Sequence, residues 1–281
     1  MPATPPHAQP CIGIDFSGGT RAGRKVWIAQ GHRTADRTVR IERCDRLTDL
    51  LGVAPARDIA LPALRAWIAR QHAAIIGMDF PFGVPAALMP RGQRWVTWCV
   101  RLGACYTDAE SFRADCTRRA GGREIKRATD VAACTPLASY NLWVYRQTYH
   151  GVRDVLAPLV AADAARVVPM QRRAAGLPTL IEVCPASTLK VIDAYLPRYK
   201  GADRAAPGRG ATPSATRAAI VDLLVRRTGA SLPPQVRAAA VADAEGDALD
   251  AVVACLAAGG AMPPPPLPPV ARREGCVFTG V

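Results

Sequence analysis

Five carboxylates stand in or beside apolar runs of this chain: Asp15 in IGIDFSGG, Asp79 in IIGMDFPFG, Glu182 in LIEVCPAS, and Asp247 and Asp250 in GDALDAVVACLAAG. An unpaired carboxylate in apolar surroundings is costly, and two side by side repel. Asp247 and Asp250 are three residues apart, which places them on one helical face. Oxygen donors gathered without histidine or thiolate are the donor set of a hard cation, Mg²⁺ or Mn²⁺, whose charge offsets the repulsion of the bare acids. Two such ions about 4 Å apart activate a water and stabilise the leaving oxygen in phosphodiester hydrolysis. Taken singly, an aspartate at a strand end is an ordinary turn or cap residue, and the late pair an ordinary solvated face. The set of five carries the inference. Asp243 and Glu245, just ahead of the pair, read as surface charges.

Other chemistries lack their residues. The nine cysteines are scattered, odd in number and without a CxxC, so neither a disulfide framework nor a tetrahedral zinc site is indicated. His7, His32, His72 and His150 lie far apart with no HxxxH pair, and no G-x-S-x-G elbow marks a serine hydrolase.

The elements that must position the acids follow from periodicity. CIGIDF (11–16) is a short apolar strand, SGGTRAGRK supplies a turn, and VWIAQGH (26–32) and TVRIERCD (38–45) alternate as a second and third strand. DIALPALRAWIARQ (58–71) has the spacing of an amphipathic helix. AAIIGMDFPFGVP (73–85) is an apolar strand ended by Asp79. From about 86 to 165 the chain turns Arg-rich and Trp-containing, with helical spacing, and reads as a helical insertion. Strand character returns at LPTLIEVCPAS (177–187). The helices TLKVIDAYL and SATRAAIVDLLVRRTG follow, separated by the basic, mobile loop 197–213, and then comes the helical region 234–259. PPPPLPP (263–269) reads as a stiff linker and EGCVFTG as a closing strand. Strand ends crossed by a packed helix are where functional groups collect in α/β sheets.

The 281 residues suffice for one large α/β domain with a substantial core. The formal charge of +13, with 36 Lys and Arg against 23 Asp and Glu, favours a polyanionic partner such as nucleic acid, although an arginine- and alanine-rich composition also follows from GC-rich coding. No run spans a bilayer and residues 1–10 have no apolar signal segment, so a cytoplasmic protein with no membrane partner is expected.

The order of strand with Asp, two strands, helix, strand with acid and a late helix with D-x-x-D resembles the ribonuclease H-like superfamily, in particular its Holliday-junction-resolvase branch. More closely, GIDFSGG, IGMDFPFGVP, EVCPAST, DALDAVVA and EGCVFTG resemble domain of unknown function family 429, described as predicted nucleases of ribonuclease H-like fold, over residues 11 to 281. The resemblance implies an α/β fold with a ribonuclease H-like mixed five-stranded sheet flanked by helices. It implies a single domain over 11–262 with a helical insertion at about 86–165, preceded by a disordered segment 1–10. A Pro-rich linker and a strand packing back on the domain close the chain at 263–281. The activity implied is two-metal hydrolysis of DNA or RNA. Asp15 and Asp247 would be shared ligands, Asp79 and Asp250 would complete the two sites, and Glu182 would ligate or position water. Asp247 is expected as the inner ligand of the late pair.

The insertion is absent from minimal resolvases. In REIKRATDVAACTP and YNLWVYRQTYHG it carries Lys126, Arg127, Asp130, Asn141, Arg146 and Gln147 as candidate substrate contacts, with Trp143, Tyr145 and Tyr149 either stacking on bases or forming the core of a helical subdomain. GIDFSGGT also resembles the first phosphate loop of actin-like ATPases and sugar kinases, in which amides around Gly18 and Gly19 would cradle phosphate; no second phosphate loop accompanies it. A non-catalytic nucleic-acid-binding protein on the same fold is the third reading.

Overall fold

The computed structural model describes residues 8–203, 211–261 and 266–280. Six strands form one mixed sheet in the order β3-β2-β1-β4-β6-β5: β1 (Gln9–Asp15), β2 (Trp27–Arg33), β3 (Val39–Arg46), β4 (Ile75–Asp79), β5 (Arg166–Val168) and β6 (Thr179–Glu182). The first three make an antiparallel meander, while β4 lies parallel to β1, and β6 and β5 continue the parallel half. The carboxyl ends of β1, β4, β6 and β5 therefore share one edge of the sheet.

Alternation along the strands feeds two cores. Ile12, Ile14, Ile76 and Met78 face one layer, built on the helix Arg57–Ala69 and on the insertion helices Trp95–Cys105, Ala109–Arg119 and the run Tyr145–His150, Gly151–Leu156 and Ala157–Ala161. Cys11, Ala29, Ile75 and Ile181 face the other, where the helix Asp247–Gly260 lies across the sheet, backed by Pro185–Val191, Pro213–Thr228 and Pro234–Ala242. Leu249, Val252, Val253 and Leu256 of the crossing helix are buried, each worth roughly 1.5–3 kcal/mol relative to exposure. That helix is buried on all sides from Ala248 to Gly259, as a helix sandwiched between a sheet and other helices must be.

The sheet has six strands where five are expected. The added β5 is a three-residue edge strand, too short for alternation to register, and it follows the helical stretch directly. EGCVFTG does not form a full strand; Val277 bridges Glu182, and Phe278 N–H donates to the Glu182 carbonyl at 2.8 Å. The region 234–259 is two helices, broken at 243–246. Gln9 and Pro10 of the segment expected to be disordered already belong to β1, and residues 1–7 lie outside the described residues. Parts of the basic loop (204–210) and of the Pro-rich linker (262–265) also lie outside them. No described helix is long and apolar enough to cross a membrane.

Candidate metal centre

Asp15 and Asp79 end adjacent parallel strands and are register partners. They therefore point to the same face of the sheet, about one strand spacing of 4.8 Å apart. Each is preceded two residues earlier by a glycine, Gly13 and Gly77, which face the crossing helix. A Cβ on Gly13 would collide with Ala251 O and Cys255 N, and one on Gly77 would lie 2.8 Å from Ala254 O. The two glycines let the helix sit directly on the strands, so its first turn reaches the strand tips that carry the aspartates. Asp243 fixes that turn. Its Oδ2 accepts from the amides of Asp247 at 2.7 Å and Ala248 at 3.2 Å, satisfying two of the free N–H groups of a helix start.

The result is a triad. Carboxylate oxygens of Asp15, Asp79 and Asp250 lie within 4.8 Å of one another. Asp247 stands at the rim, more exposed, with Lys200 Nζ 3.9 Å from its Oδ1. Asp250, expected as the less certain of the pair, is the inner member. Tyr199 donates its hydroxyl to Asp250 Oδ1 at 3.0 Å, and Lys200 Nζ lies 2.6 Å from Oδ2. Among the described residues nothing donates a hydrogen bond to the carboxylates of Asp15 or Asp79.

The electrostatics follow from this geometry. At 4.8 Å, two unit charges repel by roughly 3 kcal/mol at an effective dielectric of about 20, and a single lysine cannot offset three acids. Burial holds the Asp15 carboxyl well above the usual range, reinforced by the charges of Asp247, Asp250 and Asp79. Burial likewise pushes Asp79 up to about 8, with Asp250 the largest of the charges that add to it. Burial raises Asp247 to about 6, with Lys200 opposing. Desolvation works against the Lys200 ammonium, but Asp250 and Asp15 more than compensate and hold it above its ordinary value. Oxygen-only donors, buried, like-charged and with lone pairs unclaimed on Asp15 and Asp79, fit a divalent hard cation.

The remaining expected residues are placed differently. Glu182 belongs to an internal ion cluster. Its Oε2 accepts from Phe82 N–H at 2.9 Å and Arg127 Nη1 at 2.7 Å, and its Oε1 accepts from Arg127 Nη2. Arg127, 1% exposed, uses all five guanidinium donors: two on Glu182, two on Asp130 and one on the Glu274 carbonyl. Arg127 and Asp130, expected as substrate contacts, thus have no donor or carboxylate free for phosphate, and Glu182, expected to ligate or position water, has both oxygens engaged by Arg127, whose single charge it shares with Asp130. The cluster still borders the acid triad, since Asp79, Glu182, Arg127 and Gln147 line one cavity of about 90 Å³.

Lys126 is exposed and donates to Thr135 O at 2.7 Å, Asn141 is held by Glu124 at 2.6 Å, and Arg146 pairs with Glu110 at 2.6 Å while stacking on Tyr145. Gly18 packs against the Arg146 backbone so closely that a Cβ would strike its carbonyl, and Gly19 borders only Ser17. Tyr145 and Tyr149 are core residues at 4% and 0% exposure, whereas Trp143 is 79% exposed. Three contributors carry no mark in the sequence reading: Tyr199 and Lys200, inside a segment that reads as a basic loop, and Asp243, which reads as a surface charge. The chain matches no known family model, no curated protein and no solved structure.

Proposed function

We propose that this chain is a divalent-metal-dependent nuclease of the ribonuclease H-like class, hydrolysing phosphodiester bonds in DNA or RNA, and that it belongs with the predicted nucleases of domain of unknown function family 429. The observation that carries the reading is the triad of Asp15, Asp79 and Asp250, buried except for the half-buried Asp79, with Asp247 beside it and two carboxylates lacking any donor among the described residues. Supporting it is the placement of these acids at the tips of neighbouring parallel strands under the first turn of a late helix. Asp15 would be shared between two Mg²⁺ or Mn²⁺ ions, with Asp79, Asp250 and Asp247 completing their ligands. What the ions supply when bound is an activated water and neutralisation of charge at the scissile phosphate.

The chain's own residues do the rest. Tyr199 holds Asp250 in one orientation by its hydrogen bond. Lys200, half exposed at the rim, offers a cation to a non-bridging phosphate oxygen once Asp250 is engaged elsewhere. Trp143 stands just before Val144 and Gln147, which line the cavity beside Asp79, and presents a free indole face for stacking of an unpaired base. The Arg127 cluster sets the floor by fixing Glu182 and the backbone of Phe82 next to Asp79.

The test is cleavage of single-stranded, double-stranded and branched DNA and of RNA with Mg²⁺ or Mn²⁺. Cleavage is expected to be abolished by chelation and by Asp15→Asn, with the circular dichroism spectrum unchanged. Cleavage that survives both would refute the assignment.

A further inference from the structure

The positive charge of the chain is not spread evenly. Arg118, Arg146, Arg166, Arg227 and Arg237 each pair with an acid. A groove of about 1020 Å³ beyond the end of β5 is lined by Arg94, Arg172, Arg173, Arg272 and Arg273, and by no acid at all. Arg94, Arg172, Arg173 and Arg272 are exposed. Among the described residues none of the five meets a carboxylate. Arg173 donates only to Thr179 Oγ1 at 3.3 Å and Arg273 only to Pro90 O at 3.2 Å, while the buried Arg273 Nε has no partner. Five guanidinium groups with no internal counter-charge raise a strong local potential, and the fixed fork of each fits phosphate oxygens.

The groove shares its edge with the acid triad. Val168, the last residue of β5, pairs with Ile181 of β6, and Met78, just before Asp79, pairs with Glu182. The tips of β4 and β5 are thus nearly level and two strand spacings apart, about 10 Å. A single strand carries one phosphate per about 3.4 Å of rise, so that gap spans about three nucleotides. The segment that carries Arg272 and Arg273 is anchored to the same edge: Glu274 accepts from the amides of Ala86 at 2.7 Å and Ala128 at 2.9 Å, and its carbonyl accepts from Arg127, which grips Glu182.

We propose that this arginine groove is the phosphate track along which a nucleic-acid strand runs to the acid triad, an inference that rests on the nuclease reading above. The strand enters over β5, crosses the tip of β6 and presents its scissile phosphate at Asp15 and Asp79. The arginines hold phosphates without reading bases, so binding is salt-dependent and tolerant of sequence.

The experiment measures fluorescence anisotropy of a fluorescein-labelled single-stranded DNA oligonucleotide bound to the full chain in EDTA, over a range of salt. The Arg172→Glu and Arg272→Glu double variant alters two exposed side chains from separate segments of the lining and is expected to weaken binding on the order of tenfold. It should also lower the slope of log affinity against log salt by roughly 1.4, two phosphate contacts at about 0.7 each. A control of equal charge change, Arg70→Glu with Arg226→Glu, alters exposed residues away from the groove and is expected to bind nearly as the native chain does. No oligonucleotide binding by the native chain, native-like binding by the groove variant, or equal loss in the control would each overturn the track. Groove-dependent binding without cleavage under Mg²⁺ or Mn²⁺ would end the nuclease reading and leave the track standing. Cleavage with binding indifferent to the groove variant would do the reverse.

Discussion

Asp79 faces Asp15 across one strand spacing and Asp250 across the helix start, with no donor to its own oxygens. Its carboxyl is raised to about 8 because burial and these neighbours disfavour its charge. An unfolded aspartate titrates near 4, so between about pH 4 and pH 8 the folded chain binds more protons than the unfolded one. Stability attributable to this cluster therefore falls as pH rises through that window; Asp15 and Asp247, also raised, act in the same sense. Surface carboxyls with lowered values, such as Asp108 and Asp163, change stability only below about pH 4 and leave the window clear. In EDTA the melting temperature is expected to fall from pH 5 to pH 8. Asp79→Asn is expected to flatten that fall and to stabilise the chain at pH 8, by on the order of 2 kcal/mol. A melting temperature that rises over the same window, unchanged by the substitution, would contradict the electrostatics described here. The aspartates were legible in the sequence because each stands at one end of an apolar run. Lys200 was not, because one cation among 36 basic residues has no local signature, and its partner Asp250 lies fifty residues on.

The elements position the site through G-I-D on β1 and G-M-D on β4. The alternation of a strand puts each glycine and its aspartate on one face, the glycine under the helix body and the acid under its first turn. Gly13→Ala would drive a methyl group into the backbone of Ala251 and Cys255, where no side chain can move aside. The expected cost is about 3 kcal/mol or more in urea unfolding, with loss of metal binding because the helix lifts from the strand tips. Native-like stability and metal affinity in that variant would show that the helix does not depend on this seat. The meander and the first long helix were readable because their patterns are periodic, and β4 and the late helix because each is a continuous apolar run marked by acids. β5 was not, since three residues at a sheet edge carry no period, and the fate of Glu182 was hidden because its partner Arg127 comes from a helix far away in sequence.

Over the whole molecule, one edge of the sheet gathers opposite fields. Uncompensated acids occupy the ends of β1 and β4, and uncompensated arginines lie beyond β5, with the internally paired cluster of Arg127, Asp130 and Glu182 between them. This division suits a polyanion that must be held at one place and engage cations at another. The net charge of +13 points to a polyanionic partner but to no place on the surface, because arginines from three separate segments meet only in the fold.

Isothermal titration of Mn²⁺ into the chain at pH 7, in two buffers of different ionisation enthalpy, asks directly whether the acids hold a divalent cation. Saturable binding is predicted, with net proton release on the order of one per chain, because Asp79 and Asp15 must give up protons to become ligands. Both are predicted to vanish in Asp15→Asn and in Asp250→Asn. Heats indistinguishable from dilution in the native chain, or binding that persists unchanged in both variants, would contradict a metal centre at these residues.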